Sequence, residues 1–123
     1  MKISTLMTRP VLRIDENSTA QKAAEVMGRE HVGSLLVTKR GEDVGIITER
    51  DIISKIIATQ GDLKETNVKD VMSEPLVTVK SDTTGEDAIR TMVKNDVRRL
   101  PVMDNDRIIG IFTTSDVTKL VAN

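Results

Sequence analysis

The strongest constraint on this chain is a phrase that returns at a fixed distance. Gly45-Ile46-Ile47-Thr48-Glu49-Arg50-Asp51 recurs as Gly110-Ile111-Phe112-Thr113-Thr114-Ser115-Asp116, a spacing of 110 − 45 = 65 residues. Residues 7–58 overlay 72–123 without a gap, and twelve of those 52 pairs are identical. Unrelated segments of ordinary composition would share roughly three. Met7/Met72, Pro10/Pro75, Thr19/Thr84, Ala23/Ala88, Met27/Met92, Val32/Val97, Leu35/Leu100 and Val37/Val102 are among them. Such a period marks one supersecondary unit used twice. A half of about 60 residues buries little surface alone, so the copies are expected to share one core.

Each copy reads as strand–helix–strand–strand–helix. Pro10 or Pro75 breaks any helix, and Val11–Ile14 or Leu76–Val79 follows as a short strand. Ser18-Thr19-Ala20-Gln21 and Thr83-Thr84-Gly85-Glu86 fit a capping box that opens a helix with apolar residues at helical spacing. Gly33–Thr38 and Leu100–Met103 read as the next strand. Pro101 lacks a ladder donor, which predicts an edge or a free side there. Lys39–Glu42 and Asp104–Arg107 are hairpin turns. A third strand enters the repeated phrase, and a second helix runs over Asp51–Ala58 or Asp116–Val121. The division is residues 1–59 for the first copy, 60–67 for a polar linker and 68–123 for the second. The fold class is α/β (α+β), two β-α-β-β-α repeats packed about a pseudo-twofold axis.

In the phrase an apolar strand turns directly into a helix, so a hydroxyl and a carboxylate sit beside the helix's unpaired N–H groups. Asp51 and Asp116 can accept bonds from two vicinal hydroxyls at once. Thr48 and Thr113 stand where N–H groups invite a phosphate. The plainer reading is that Thr48-x-x-Asp51 and Thr113-x-x-Asp116 are capping boxes with Asp in place of Glu. Both readings stay open, since one threonine can serve both.

Composition narrows the function. The net charge of −1 supplies no global attraction for nucleic acid, and the single Phe, with no Tyr or Trp, weakens any reading that stacks bases on aromatic rings. Cys is absent and His31 stands alone, which argues against zinc. His31 reads as a helix-end residue. Asp104-Asn105-Asp106 lacks the glycine and terminal glutamate of a calcium loop. No nucleophile is paired with a base, so no enzyme is expected. No stretch approaches the roughly 20 apolar residues of a membrane span, and the N-terminus does not read as a signal peptide. A cytoplasmic protein is expected.

The paired unit, with Met7-x-x-Pro10, Met72-x-x-Pro75, Val97-Arg98-Arg99-Leu100-Pro101-Val102 and the two Gly-x-x-Thr-x-x-Asp phrases, resembles a tandem cystathionine-β-synthase (CBS) domain pair, or Bateman module. The resemblance covers nearly the whole chain. It implies a regulatory sensor of AMP, ADP, ATP or S-adenosylmethionine in the cleft between the copies, which shifts population on binding. It implies that Asp51 and Asp116 bind ribose hydroxyls, that Thr48 and Thr113 meet phosphate or ribose, and that Thr8 or Ser73 contributes a hydroxyl. Backbone groups at Arg13 and Thr78 would read adenine; the plainer reading is ordinary exposed strand residues. Arg98 and Arg99 would neutralise phosphate at the other copy's corner, or be solvated charges. Gly33-Ser34 replace them in the first copy, so the Asp51 site is expected to be the stronger. Arg50 reads as a surface residue. A homodimer and a protein effector are the partners implied. A structural dimerisation module without ligand, or a weak nucleic-acid binder, is the alternative.

Overall fold

The computed structural model describes residues 1–122 and comprises two compact units. One, the first-copy unit, is Leu12–Leu76. The other, the second-copy unit, joins Met1–Val11 to the chain from Val77 onward. Each unit is therefore the body of one copy completed by the leader of the other, Met1–Val11 for the first copy and residues 68–76 for the second.

The first-copy unit contains β1 (Arg13–Asp15), α1 (Ala20–Glu30), β2 (Ser34–Lys39), β3 (Glu42–Thr48), α2 (Glu49–Ile52) with a π-helical turn over Ile53–Ile57, and α3 (Val68–Val71). Its sheet has the order β1-β2-β3, with β1 parallel and β3 antiparallel to β2. The second-copy unit opens with a 3₁₀ turn (Ile3–Thr5), then holds β4 (Val79–Lys80), α4 (Gly85–Asn95), β5 (Arg99–Asp104), β6 (Arg107–Thr113) and α5 (Thr114–Ala122). Its sheet repeats the pattern as β4-β5-β6. The mixed α+β class with two three-stranded sheets agrees with the sequence reading.

Local chemistry fixes these elements. Thr19 accepts from the Lys22 N–H at 3.1 Å and Thr84 from the Asp87 N–H at 3.2 Å, so each long helix starts one residue later than the expected box. His31 and Asp96 close the helices in the left-handed region, at φ 55° and 51°. The hairpins turn on Arg40-Gly41 (φ 52° and 82°) and Asn105-Asp106 (φ 48° and 64°), two successive left-handed residues that suit the twist of paired strands. The polar linker caps α1: the Thr66 and Leu63 carbonyls accept from Ala20 and Gln21 at 2.8 and 3.0 Å.

Two expectations change. The copies do not share one core; each unit has its own, and the borrowed leader completes it. Val68 and Val71 are buried with Ile14, Leu35, Val37 and Ile47, while Ile3, Leu6 and Met7 are buried with Leu100, Val102 and Phe112. Nor does Pro101 mark an edge: β5 is the central strand. In the first-copy unit the Leu36 N–H donates to the Leu12 carbonyl at 3.0 Å and Arg13 faces Leu36. The equivalent residue, Pro101, has no N–H to give. Pairing starts one residue later, at Val79 opposite Val102, and β4 is left with two residues.

Candidate functional site

The two repeated phrases build the same corner, one in each unit. At the first, the Thr48 N–H and hydroxyl both donate to Asp51 Oδ2, at 3.0 and 3.1 Å, and the Asp51 N–H donates back to Thr48 Oγ1 at 3.1 Å. At the second, Thr113 donates to Asp116 Oδ2 at 2.9 and 3.2 Å, and the Asp116 N–H returns to Thr113 Oγ1 at 3.3 Å. The capping reading is thus fulfilled at both corners. It also explains how a carboxylate survives burial: Asp51 and Asp116 are 6% and 3% exposed, the buried charged residues among those described. A buried charge must be hydrogen-bonded and paired.

The pairing comes from residues the sequence reading overlooked. Lys55 Nζ lies 3.0 Å from Asp51 Oδ1, and Lys119 Nζ 2.8 Å from Asp116 Oδ1. The signal was a lysine within one turn of each aspartate, spacings that place both on one helix face.

The leader supplies the third component. Ser73 exchanges backbone hydrogen bonds with Ile46 (2.8 and 3.0 Å), and Thr8 does so with Ile111 (2.8 and 3.1 Å). The leader backbone therefore crosses directly beside Gly45 or Gly110. A Cβ on Gly45 would meet Met72 Sδ at 2.8 Å and the Ser73 carbonyl at 2.9 Å; one on Gly110 would press on Met7 Sδ and Cγ. This close approach is why the phrase begins with glycine. It delivers the Ser73 hydroxyl to Asp51 Oδ1 at 3.4 Å, and the Thr8 hydroxyl to both oxygens of Asp116 at 3.3 Å. These long contacts are weak beside the charge-assisted ones.

The other singled-out residues lie differently. The Arg13 guanidinium grips Asp43 through two bonds, at 2.8 and 3.1 Å, which hold it above its ordinary pKa range. Thr78 is exposed just before β4. Arg99 faces Thr113 across β5 and β6, and the Arg98 carbonyl accepts from the Thr114 N–H at 3.1 Å. Gly33 does the same for Glu49 at 3.0 Å. At each helix start the first N–H, of Glu49 or Thr114, and the third, of Asp51 or Asp116, are thus bonded within the chain. Among the described residues no cluster of three or more His, Asp or Glu is gathered for a metal, and no helix is long and apolar enough to cross a membrane.

The repeat pairs with the fold to define a class. The CBS domain family model matches residues 3–58 and again 68–123, and the chain belongs to that family. It is 33% identical over 122 residues to the Methanopyrus kandleri protein MK0525, covering 98% of this chain but only 62% of that protein. It is 35% identical over 115 residues to the CBS domain-containing protein YhcV of Bacillus subtilis, covering 94% of this chain and 81% of YhcV. Among solved structures it is similar to the hexameric CBS-CP12 protein from bloom-forming cyanobacteria, with TM-score 0.90 and 30% identity over 96% of this chain and 69% of that one. Tandem CBS domains are generally regulatory ligand-binding modules rather than catalysts.

Proposed function

We propose that this chain is a non-enzymatic regulatory module that binds an adenosyl ligand (AMP, ADP, ATP or S-adenosylmethionine) at the Thr–Asp corners. Asp51 and Asp116 receive the ribose hydroxyls, Thr48 and Thr113 orient the carboxylates, and Ser73 and Thr8 are the contacts a ligand hydroxyl replaces. Arg98 and Arg99 supply charge for a phosphate, while Arg13 and Thr78 offer backbone groups to the base. The carrying observation is that each buried carboxylate holds its leader hydroxyl only at 3.3–3.4 Å, while its remaining contacts are mostly shorter. A ligand hydroxyl can take that place without unmaking the cap. The module works as a homodimer or larger homo-oligomer in the cytoplasm and signals to a protein effector. The hexameric state of the CBS-CP12 relative supports self-association.

A second reading draws on the same geometry. Every carboxylate oxygen already has donors from the chain itself, as in a purely structural bracket. Thermal melting in the presence of AMP, ADP, ATP and S-adenosylmethionine separates the two. A ligand present at a hundred times its Kd adds about 2.7 kcal/mol to native stability, which raises the Tm by several degrees. A melt unmoved by all four would leave the bracket as the function.

A further inference from the structure

Lys55 and Lys119 make firm contacts at the corners and have no part in the reading above. Besides its aspartate, each donates to the leader: Lys55 to the Val71 carbonyl and Lys119 to the Leu6 carbonyl, both at 2.8 Å. Val71 lies two residues before Ser73, and Leu6 two before Thr8. One ammonium thus grips both the carboxylate and the strand that carries the hydroxyl.

The gapless overlay hides this equivalence, because it sets Lys119 opposite Ser54 and Lys55 opposite Leu120. Lys55 lies inside the π turn over Ile53–Ile57, and Lys119 lies in α5. Residues three and four apart share one helix face, so a lysine four residues after Asp51 does what a lysine three residues after Asp116 does. The same pair of contacts is reached from two different frames. These lysine side chains are 43% and 49% exposed, and ordering a long, half-exposed side chain costs rotamer entropy.

We propose that Lys55 and Lys119 are positioning residues of the corners. Each locks its carboxylate Oδ1 to its leader, so the acceptor that meets a ribose hydroxyl is fixed before the ligand arrives. The proposal rests on reading the corners as adenosyl sites. It makes the lysines act at the ribose end, on a neutral nucleoside as on a nucleotide. A lysine that only neutralised phosphate would spare the nucleoside.

The test compares wild type with Lys55→Met/Lys119→Met and with Lys55→Arg/Lys119→Arg. Calorimetry with AMP and with adenosine is run beside amide hydrogen exchange without ligand. The methionine variant is expected to lose about tenfold in affinity for both probes, the scale of one charge-assisted hydrogen bond. The arginine variant should recover most of that loss, and exchange at the Thr8 and Ser73 amides should quicken in the methionine variant alone. Loss confined to AMP, loss that arginine does not relieve, or no loss would overturn the proposal. If wild type binds neither probe, the ligand reading fails separately and exchange judges the lysines: faster exchange at Thr8 and Ser73 supports the lock, unchanged exchange overturns it. Should the double methionine variant not fold, the single variants are read by the same criteria.

Discussion

The two units keep one corner and let nearly everything around it differ. Both hold Thr and Asp in a reciprocal cap, a lysine on Oδ1, a leader hydroxyl and a glycine under the leader. Away from the corner they part. Leu36 becomes Pro101, the Arg13–Asp43 pair gives way to Thr78 and Ile108, and Gly33-Ser34 become Arg98-Arg99. The sheet margin can lose a hydrogen bond or an ion pair because water or a neighbour replaces it. A buried carboxylate left short of donors costs far more, so the Thr cap and the lysine are kept in both units.

Breaking that comparison begins in the cores. Phe112 and its counterpart Ile47 are both fully buried. Phe112→Ala is expected to cost about 3–5 kcal/mol and Ile47→Ala about 2–5. Urea unfolding measures both, and a larger loss at Ile47 would show that the first-copy unit is the tighter. Next come the glycines. Alanine at Gly45 or Gly110 overpacks the leader, at roughly 1–3 kcal/mol. Gly45→Ala should be the worse, because its Cβ meets the Ser73 backbone carbonyl, whereas Gly110→Ala meets only the Met7 side chain, which can repack. Melting temperatures of the two variants rank them.

A smaller effect sharpens the contrast at the sheet margin. Pro101→Leu restores an N–H opposite Val77, in the place where Leu36 bonds Leu12. The new bond contributes about 0.5–1.5 kcal/mol, offset by the roughly 0.4–1 kcal/mol that proline gives through the unfolded chain. Stability should barely move, yet position 101 should gain an amide that exchanges slowly. The smallest effect is expected at Arg13–Asp43, whose side chains are 39% and 20% exposed. A double-mutant cycle with Arg13→Ala and Asp43→Ala should return about 0.2–1 kcal/mol.

Much of this was legible in the residues. The 65-residue repeat announced the doubled fold, the hairpins and the Thr–Asp caps, because those depend on local chemistry that periodicity and turn residues expose. The exchange of leaders was not legible. Nothing in Met1–Val11 says which body it joins, since Ile3, Leu6 and Met7 are apolar enough to complete either core. Pro101 misled because its missing donor removes one rung from a neighbouring strand without moving its own strand to the edge. The lysines escaped notice because a strict overlay pairs residue with residue, whereas a helix brings either an i+3 or an i+4 neighbour to the same contact.

The central claim is that Asp51 and Asp116 accept a ribose diol. It is tested most directly by calorimetric titration of wild-type protein with AMP and with its 2′,3′-dideoxy analogue. Hydrogen bonds to a charged acceptor contribute about 1.5–3 kcal/mol, so the dideoxy compound should bind at least roughly tenfold more weakly. Equal affinities for the two would contradict a carboxylate that reads the sugar.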